Sequence, residues 1–181
     1  MPFFQPDHTF LCYRDVSAAF LAEQGIRVLL LDIDNTLAPY EQPEPDDHIR
    51  AWLKGLADAG IQVAFLSNNH ADRIALFNAT LGLPARFDSH KPLAGTAKKL
   101  IRELGGNKRN TALMGDQIFT DVLCARMAGI RAMLVPPIKD CTDRGTRFKR
   151  YLERGILRRY HKRNPDAPDV RKGSTIKVDT L

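Results

Sequence analysis

Four aspartates, a serine and a lysine carry most of the chemical capacity of this chain. Asp32 and Asp34 stand two residues apart in Asp32-Ile33-Asp34-Asn35-Thr36, and Asp116 and Asp121 stand five apart after Gly115. Between the pairs come Ser67, followed by Asn68 and Asn69, and then Lys91, followed by Pro92. Carboxylates gathered in one crevice repel, and each is driven toward protonation unless a cation joins them. A hard divalent ion with oxygen ligands, Mg²⁺ by type, relieves that repulsion and leaves waters to face a phosphate. Taken singly, each residue has a plainer reading. An Asp-x-Asp pair is most often a turn or a helix cap. Ser67 suits a cap, Lys91 a solvated surface, and Asp121 an exposed helix face as well as a metal. The chemistry therefore depends on whether one fold brings these residues together.

The elements that must position them alternate along the chain. Short apolar runs at 27–32, 61–66, 111–114 and 131–135, with a weaker one at 85–88, read as buried parallel strands. Helical patterns lie between and after them. Asp46 and Asp47 open one that runs through Ala59, with Ile49, Leu53 and Leu56 inward. Another spans 71–81, with Ile74, Leu76 and Phe77 inward. Two more span 94–104 and 118–128, and glycines follow each of the four. Repeated strand, helix and glycine predict βαβ units and an α/β doubly wound parallel sheet. Ligands of such sheets bind beyond the carboxyl ends of the strands. Those ends carry Asp32 and Asp34, Ser67 and Asn68, Lys91, and Asp116 with Asp121.

The 181 residues are 44% hydrophobic and 27% charged, which predicts one soluble domain with a real core. A disordered chain, a collagen-like fibre and a polytopic membrane protein are excluded. No apolar run approaches the roughly 20 residues of a membrane span, and residues 1–13 lack the pattern of a signal peptide. Cys12, Cys124 and Cys141 are too widely spaced for a disulfide framework or a metal clip, so the expected compartment is the cytoplasm. The net charge of +6 is uneven. Residues 131–172 hold 13 Lys and Arg against 5 Asp and Glu, leaving 14 against 16 elsewhere. Much of that excess falls on a helical pattern at 143–163. Phe148, Tyr151, Leu152, Ile156 and Tyr160 lie near one face, and Arg147, Lys149, Arg150, Arg154, Arg158, Arg159, Lys162 and Arg163 on the other. Such a helix either lies on an anionic membrane or packs its apolar side on the sheet. The expected organisation is a single domain over 1–163, with its core at 26–137, and a flexible tail over 164–181.

In order and spacing, the four strand-end clusters resemble the motifs of the haloacid dehalogenase superfamily of phosphatases. Asp32-Ile33-Asp34-Asn35-Thr36 is similar to its DxDxT motif, Ser67 to its hydroxyl motif, Lys91 to its lysine motif, and Gly115-Asp116 through Asp121 to its GDxxxD motif. The stretches 25–37, 66–69, 90–92 and 115–121 resemble the YqeG branch of subclass IIIA, which is itself similar to the mitochondrial phosphatidylglycerophosphate phosphatases. Val135-Pro136-Pro137-Ile138, Thr146 to Arg150 and Glu153-Arg154 extend the likeness. The chain departs from that branch at Lys149 and at Cys141-Thr142-Asp143.

The resemblance implies a Rossmann-like fold and a Mg²⁺-dependent phosphomonoester hydrolase. It makes Asp32 the nucleophile that forms an aspartyl phosphate, and Asp34 the group that protonates the leaving oxygen and then deprotonates water. It assigns the metal to Asp32, the Asp34 carbonyl, Asp116 and Asp121. Ser67, Asn68 and Lys91 hold the transferring phosphoryl group, with Lys91 also steadying the carboxylates. Neither 37–60 nor 68–90 is long enough for a cap domain, which needs at least about 50 residues, so the crevice is expected to be open. The favoured substrate by resemblance is phosphatidylglycerophosphate, with peripheral contact to an anionic membrane. Two other functions fit the residues. One is a phosphatase for a sugar phosphate, a nucleotide or a nucleic-acid end. The other is a non-catalytic module that binds nucleic acid or protein through the basic segment.

Overall fold

Val28, Leu29, Leu30 and Leu31 are all buried, Leu29 and Leu31 in one hydrophobic cluster and Val28 and Leu30 in another. Only a strand covered on both faces uses four consecutive aliphatic residues in this way. The computed structural model describes residues 3–139 and 144–172. In chain order the elements are β1 (His8–Thr9), α1 (Ala18–Glu23), β2 (Val28–Leu31), α2 (Asp47–Asp58), β3 (Gln62–Leu66), α3 (Ala71–Asn78) and β4 (Ala85–Arg86). Then follow α4 (Gly95–Glu103), β5 (Thr111–Gly115), a π-helical turn (Ile118–Val122) that runs into α5 (Leu123–Ala128), β6 (Arg131–Leu134) and α6 (Arg144–Arg163).

The six strands form one parallel sheet in the order β1-β6-β5-β2-β3-β4. Residues of α1, α2 and α3 join one core cluster, and residues of α4, α5 and α6 join the other. The result is the expected doubly wound α/β sheet. The chain runs outward from β2 through β3 to β4, then crosses back to β5 on the other side of β2, so the order reverses between β2 and β5. Leu31 pairs with both Met114 and Phe65, which sets the carboxyl ends of β2, β3 and β5 level.

Local signals account for most helices. Asp46 caps α2 by accepting from Ile49 N at 2.7 Å, and Ile49, Leu53 and Leu56 are buried as their spacing predicts. Ile74 and Phe77 of α3 are buried, but Leu76, also expected inward, is 49% exposed because it lies on the opposite side of that short helix. The sequence reading lacked β1 and α1. β1 is two residues long and gains its identity only by pairing with β6. α1 had a legible signal in Ser17, which accepts from Phe20 N.

The basic helix α6 packs differently from its expected amphipathic face. Glu153, Leu157 and Tyr160 point inward, while Tyr151 and Leu152 are exposed. A glutamate heads the buried face because backbone donors meet it there, and those donors are invisible to a hydrophobic pattern. The exposed face carries Arg154, Arg158, Arg159, Lys162 and Arg163. The side chain of Phe148 lies outside the described residues, as do Cys141, Thr142 and Asp143. Residues 164–172, expected to be part of a loose tail, pack on the domain. Val170 enters the second core cluster, and Thr9 Oγ1 donates to the Pro168 carbonyl at 2.8 Å. Residues 173–181 lie outside the described residues. Cys12 and Cys124 are buried and free. Among the described residues no helix is long and apolar enough to cross a membrane.

Candidate active site

Asp32 is the first residue beyond β2, and its backbone N–H donates to the Met114 carbonyl of β5 at 2.9 Å, continuing the ladder into the crevice. Its carboxylate is buried. Lys91 Nζ donates to Asp32 Oδ1 at 2.6 Å, and Thr36 Oγ1 donates to Oδ2 at 3.2 Å. Thr36 thus steadies the acid from within its own loop. Asn35 takes a left-handed backbone there (φ 62°), with its N–H on the Ala38 carbonyl.

Lys91 reaches the same point from the far side of β3. Its Nζ also donates to Asp121 Oδ1 at 2.7 Å, so one buried ammonium bridges the first and last motifs. The turn that delivers it is strained, with Asp88 at φ 41° and His90 at φ 58°. Asn68 stabilises that turn. Its Oδ1 accepts from Lys91 N at 2.7 Å and Ser89 Oγ at 2.9 Å, and its Nδ2 donates to the Lys91 carbonyl at 2.9 Å. The sequence reading gave Asn68 a substrate-binding role. Its side chain bonds the lysine turn, since two strand-end loops that meet across the sheet need their backbone groups satisfied. Ser67 is buried, and its Oγ accepts from Asn69 N at 3.0 Å.

Asp116 follows β5 directly, and Asp121 sits on the π-helical turn behind it. Both are buried. The wider π turn folds the Asp121 side chain back toward the sheet, where Oδ2 accepts from Gln117 N at 3.1 Å and Thr120 Oγ1 at 3.0 Å. Gly115 leaves the space for it, since a Cβ there would stand 2.2 Å from Asp121 Cγ. Glu153, arriving from α6, accepts from Ile118 N at 2.7 Å and so holds the first residue of that turn. Sequence reasoning missed this contact, because nothing local marks a glutamate in a basic helix as a cap for a loop 35 residues away.

One oxygen each of Asp32, Asp116 and Asp121 lie within 4.8 Å of one another. Burial pushes the Asp32 carboxyl up to about 8. Lys91 pulls the other way, and Asp121 and Asp116 add to the rise. Burial also disfavours the Lys91 charge, but Asp121 and Asp32 outweigh it and hold the ammonium strongly protonated. Three carboxylates drawn together around one ammonium make an all-oxygen donor set of the kind that fits a hard divalent cation. Asp34 does not extend the cluster with its side chain. Its Oδ1 accepts from Arg73 Nε at 3.1 Å, and its Oδ2 accepts from Asn69 Nδ2 at 3.1 Å. Arg73 was not among the residues expected at the site.

Residues 13–129 match the family model of the haloacid dehalogenase-like hydrolases. The chain belongs to that family. It is 31% identical over 155 residues to a Bacillus subtilis (strain 168) protein named "Probable phosphatase YqeG", covering 86% of this chain and 90% of that one. Two solved structures share the fold. A protein from Listeria monocytogenes serotype 4b superposes with a TM-score of 0.52 at 18% identity, over 66% of this chain and 84% of its own. A subfamily IIIA hydrolase of the same superfamily from Legionella pneumophila gives 0.50 at 23% identity, over 64% and 71%. As a haloacid dehalogenase-like hydrolase with a YqeG-type relative, the chain is an enzyme of the phosphatase kind.

Proposed function

We propose that the protein is a Mg²⁺-dependent phosphomonoesterase that works through an aspartyl phosphate on Asp32. The observation that carries this reading is the convergence on Asp32. Lys91 Nζ lies 2.6 Å from it and 2.7 Å from Asp121, and carboxylate oxygens of Asp32, Asp116 and Asp121 lie within 4.8 Å of one another. Asp32 attacks phosphorus in line, the bond to the leaving oxygen breaks, and Asp34 supplies that oxygen with a proton. Water then attacks the phosphoryl group, gives a proton to Asp34, and frees Asp32 and inorganic phosphate. Ser67 Oγ and the Asn68 backbone N–H hold phosphoryl oxygens, and Lys91 offsets the charge that gathers on them. Asp32, the Asp34 carbonyl, Asp116 and Asp121 hold the ion. When bound, Mg²⁺ polarises the phosphoryl group and offsets charge on its oxygens.

The favoured substrate is phosphatidylglycerophosphate. The resemblance to lipid-phosphate phosphatases supports it, and so do two surface features. Tyr40, Phe87 and Leu93 are exposed apolar residues in the loops beyond β2 and β4. The outer face of α6 adds Tyr151 and Leu152 to five cations and presents no acid, because Glu153 is turned inward. That face suits an anionic bilayer surface, with the protein peripheral to it. Its charge also favours a second reading, a nucleic-acid end as substrate.

The test is phosphate release from phosphatidylglycerophosphate in anionic vesicles, from glycerol phosphate, from nucleotides and from 5′-phosphorylated RNA. Turnover is expected to be fastest on the lipid, to stop with chelator, and to fall by about 10³-fold or more in Asp32→Asn. Turnover that survives Asp32→Asn ends the nucleophile assignment. Preference for the RNA substrate replaces the lipid reading. Charge reversal at Arg154, Arg158 and Arg159 is expected to lower vesicle turnover while glycerol phosphate turnover persists, and equal vesicle rates remove the surface role.

A further inference from the structure

Asp34 is gripped from α3 and from the loop beyond β3. Arg73 Nε donates to Asp34 Oδ1 at 3.1 Å, and Arg73 Nη2 makes an ionic contact with the same oxygen at 3.0 Å. Arg73 is itself immobilised. Its Nη1 donates to the Pro43 carbonyl at 3.2 Å, its guanidinium lies 5.2 Å from the centre of the Phe77 ring, and its side chain is only 11% exposed. Phe77 is fully buried, so the fork rests on the core rather than on solvent. A solvated counter-charge needs none of these supports. A planar fork pinned on several sides fixes geometry, and it does so at little further entropic cost. The other oxygen, Oδ2, meets Asn69 Nδ2, and the Asn69 backbone N–H is bound to Ser67 Oγ. Oδ2 thus stands beside the loop that begins at Ser67, which the proposed mechanism makes the phosphate-holding loop.

We infer that Arg73 is a positioning residue for proton transfer by Asp34, anchoring Oδ1 so that Oδ2 is presented to the leaving oxygen. The inference rests on the acid–base role proposed for Asp34. In the first half-reaction an Asp32 oxygen bonds to phosphorus and the bond from phosphorus to the leaving oxygen breaks. The electron pair stays on that oxygen, which takes the proton carried by Asp34 Oδ2. In the second half-reaction the attacking water returns a proton to Oδ2. A carboxylic acid free to swing delivers that proton late, and the penalty depends on the leaving group. An alkoxide must be protonated to depart, whereas 4-nitrophenolate leaves as the anion.

The experiment measures kcat and KM of the full-length Mg²⁺-loaded protein on glycerol phosphate and on 4-nitrophenyl phosphate, for wild type, Arg73→Ala, Arg73→Lys and Asp34→Asn. Removing the fork is expected to cut kcat on glycerol phosphate by about 10²-fold. The ratio of the nitrophenyl rate to the glycerol phosphate rate is expected to rise at least about tenfold in the same variant. Arg73→Lys keeps the charge without the fork and is expected to fall between. The double variant Asp34→Asn/Arg73→Ala is expected to be no slower than Asp34→Asn on glycerol phosphate. A merely looser fold lowers both substrates alike, and that result overturns the inference. So does a rise in KM with an unchanged rate ratio. If Asp34→Asn splits the two substrates and neither Arg73 variant does, positioning by Arg73 fails while the acid–base role stands. If Asp34→Asn does not split them, the acid–base role falls, and this inference falls with it.

Discussion

Lys91 sits between two carboxylates because neither it nor they could be buried singly. Removing an ion from water costs several kcal/mol even after relaxation, and only close opposite charges with good geometry offset it. Asp32 and Asp121 supply those charges, and Asp116 makes a third acid beside one ammonium. Three carboxylate oxygens gathered in one buried place are the physical case for a divalent ion. Gly115 guards this arrangement by being absent as a side chain. In Gly115→Ala the new Cβ would meet Asp121 Cγ at 2.2 Å and Asp121 Cβ at 2.5 Å, distances that force Asp121 to move. Mg²⁺ affinity measured by titration calorimetry is expected to fall about 10–100-fold, as when a ligand loses its orienting neighbour. Unaltered affinity in a folded variant removes Asp121 from the metal set.

The helix α6 is better described as a strut than as a free surface helix. Its inner side places Leu157 and Tyr160 in contact with the body, and its buried Glu153 satisfies the Ile118 N–H that opens the Asp121 turn. Cutting the chain before Thr146 would strip these groups from the domain. Glu153→Ala leaves a buried backbone donor unpaired and is expected to cost about 1–3 kcal/mol in denaturant titration. Because the turn it holds carries Asp121, Mg²⁺ affinity is expected to weaken too. Glu153→Gln keeps an acceptor oxygen and is expected to recover part of both losses. A Glu153→Ala protein that loses stability but binds Mg²⁺ normally would separate the strut from the metal site.

β1 and residues 168–170 meet at one edge of the sheet. Thr9 binds the Pro168 carbonyl, Val170 enters the core, and His161 of α6 lies 3.4 Å from Asp169. His8 in β1 is lowered from its ordinary value by burial, with Asp7 opposing and Arg131 adding. His161 is lowered by burial as well, with Asp169 opposing. A histidine whose folded value lies below its unfolded one favours the native state fully above the unfolded value, about 6.5, and loses that contribution as pH falls through the folded one. The melting temperature of wild type relative to a His8→Asn/His161→Asn variant is therefore expected to drop as pH is lowered from 7.5 to 5.5. A difference that stays flat across that range would mean these two rings titrate alike in both states.

The doubly wound sheet and the strand-end positions of Asp32, Ser67 and Asp116 were legible in the sequence. Buried aliphatic runs mark strands locally, and the residue that ends each run is read directly. The tasks of Asn68, Arg73 and Glu153 were not legible. Each depends on a partner 23 to 39 residues away, and no local periodicity encodes such a pairing. The same holds for β1 and for the docking of residues 164–172, which exist as ordered elements only against β6 and the core. Short-range pattern sets what each segment is and which chemical groups stand at its ends. Which ends meet, and hence which charges are desolvated together, is decided by tertiary packing. The energy of a buried charge depends on every neighbour within a few ångströms and on none of them by sequence distance.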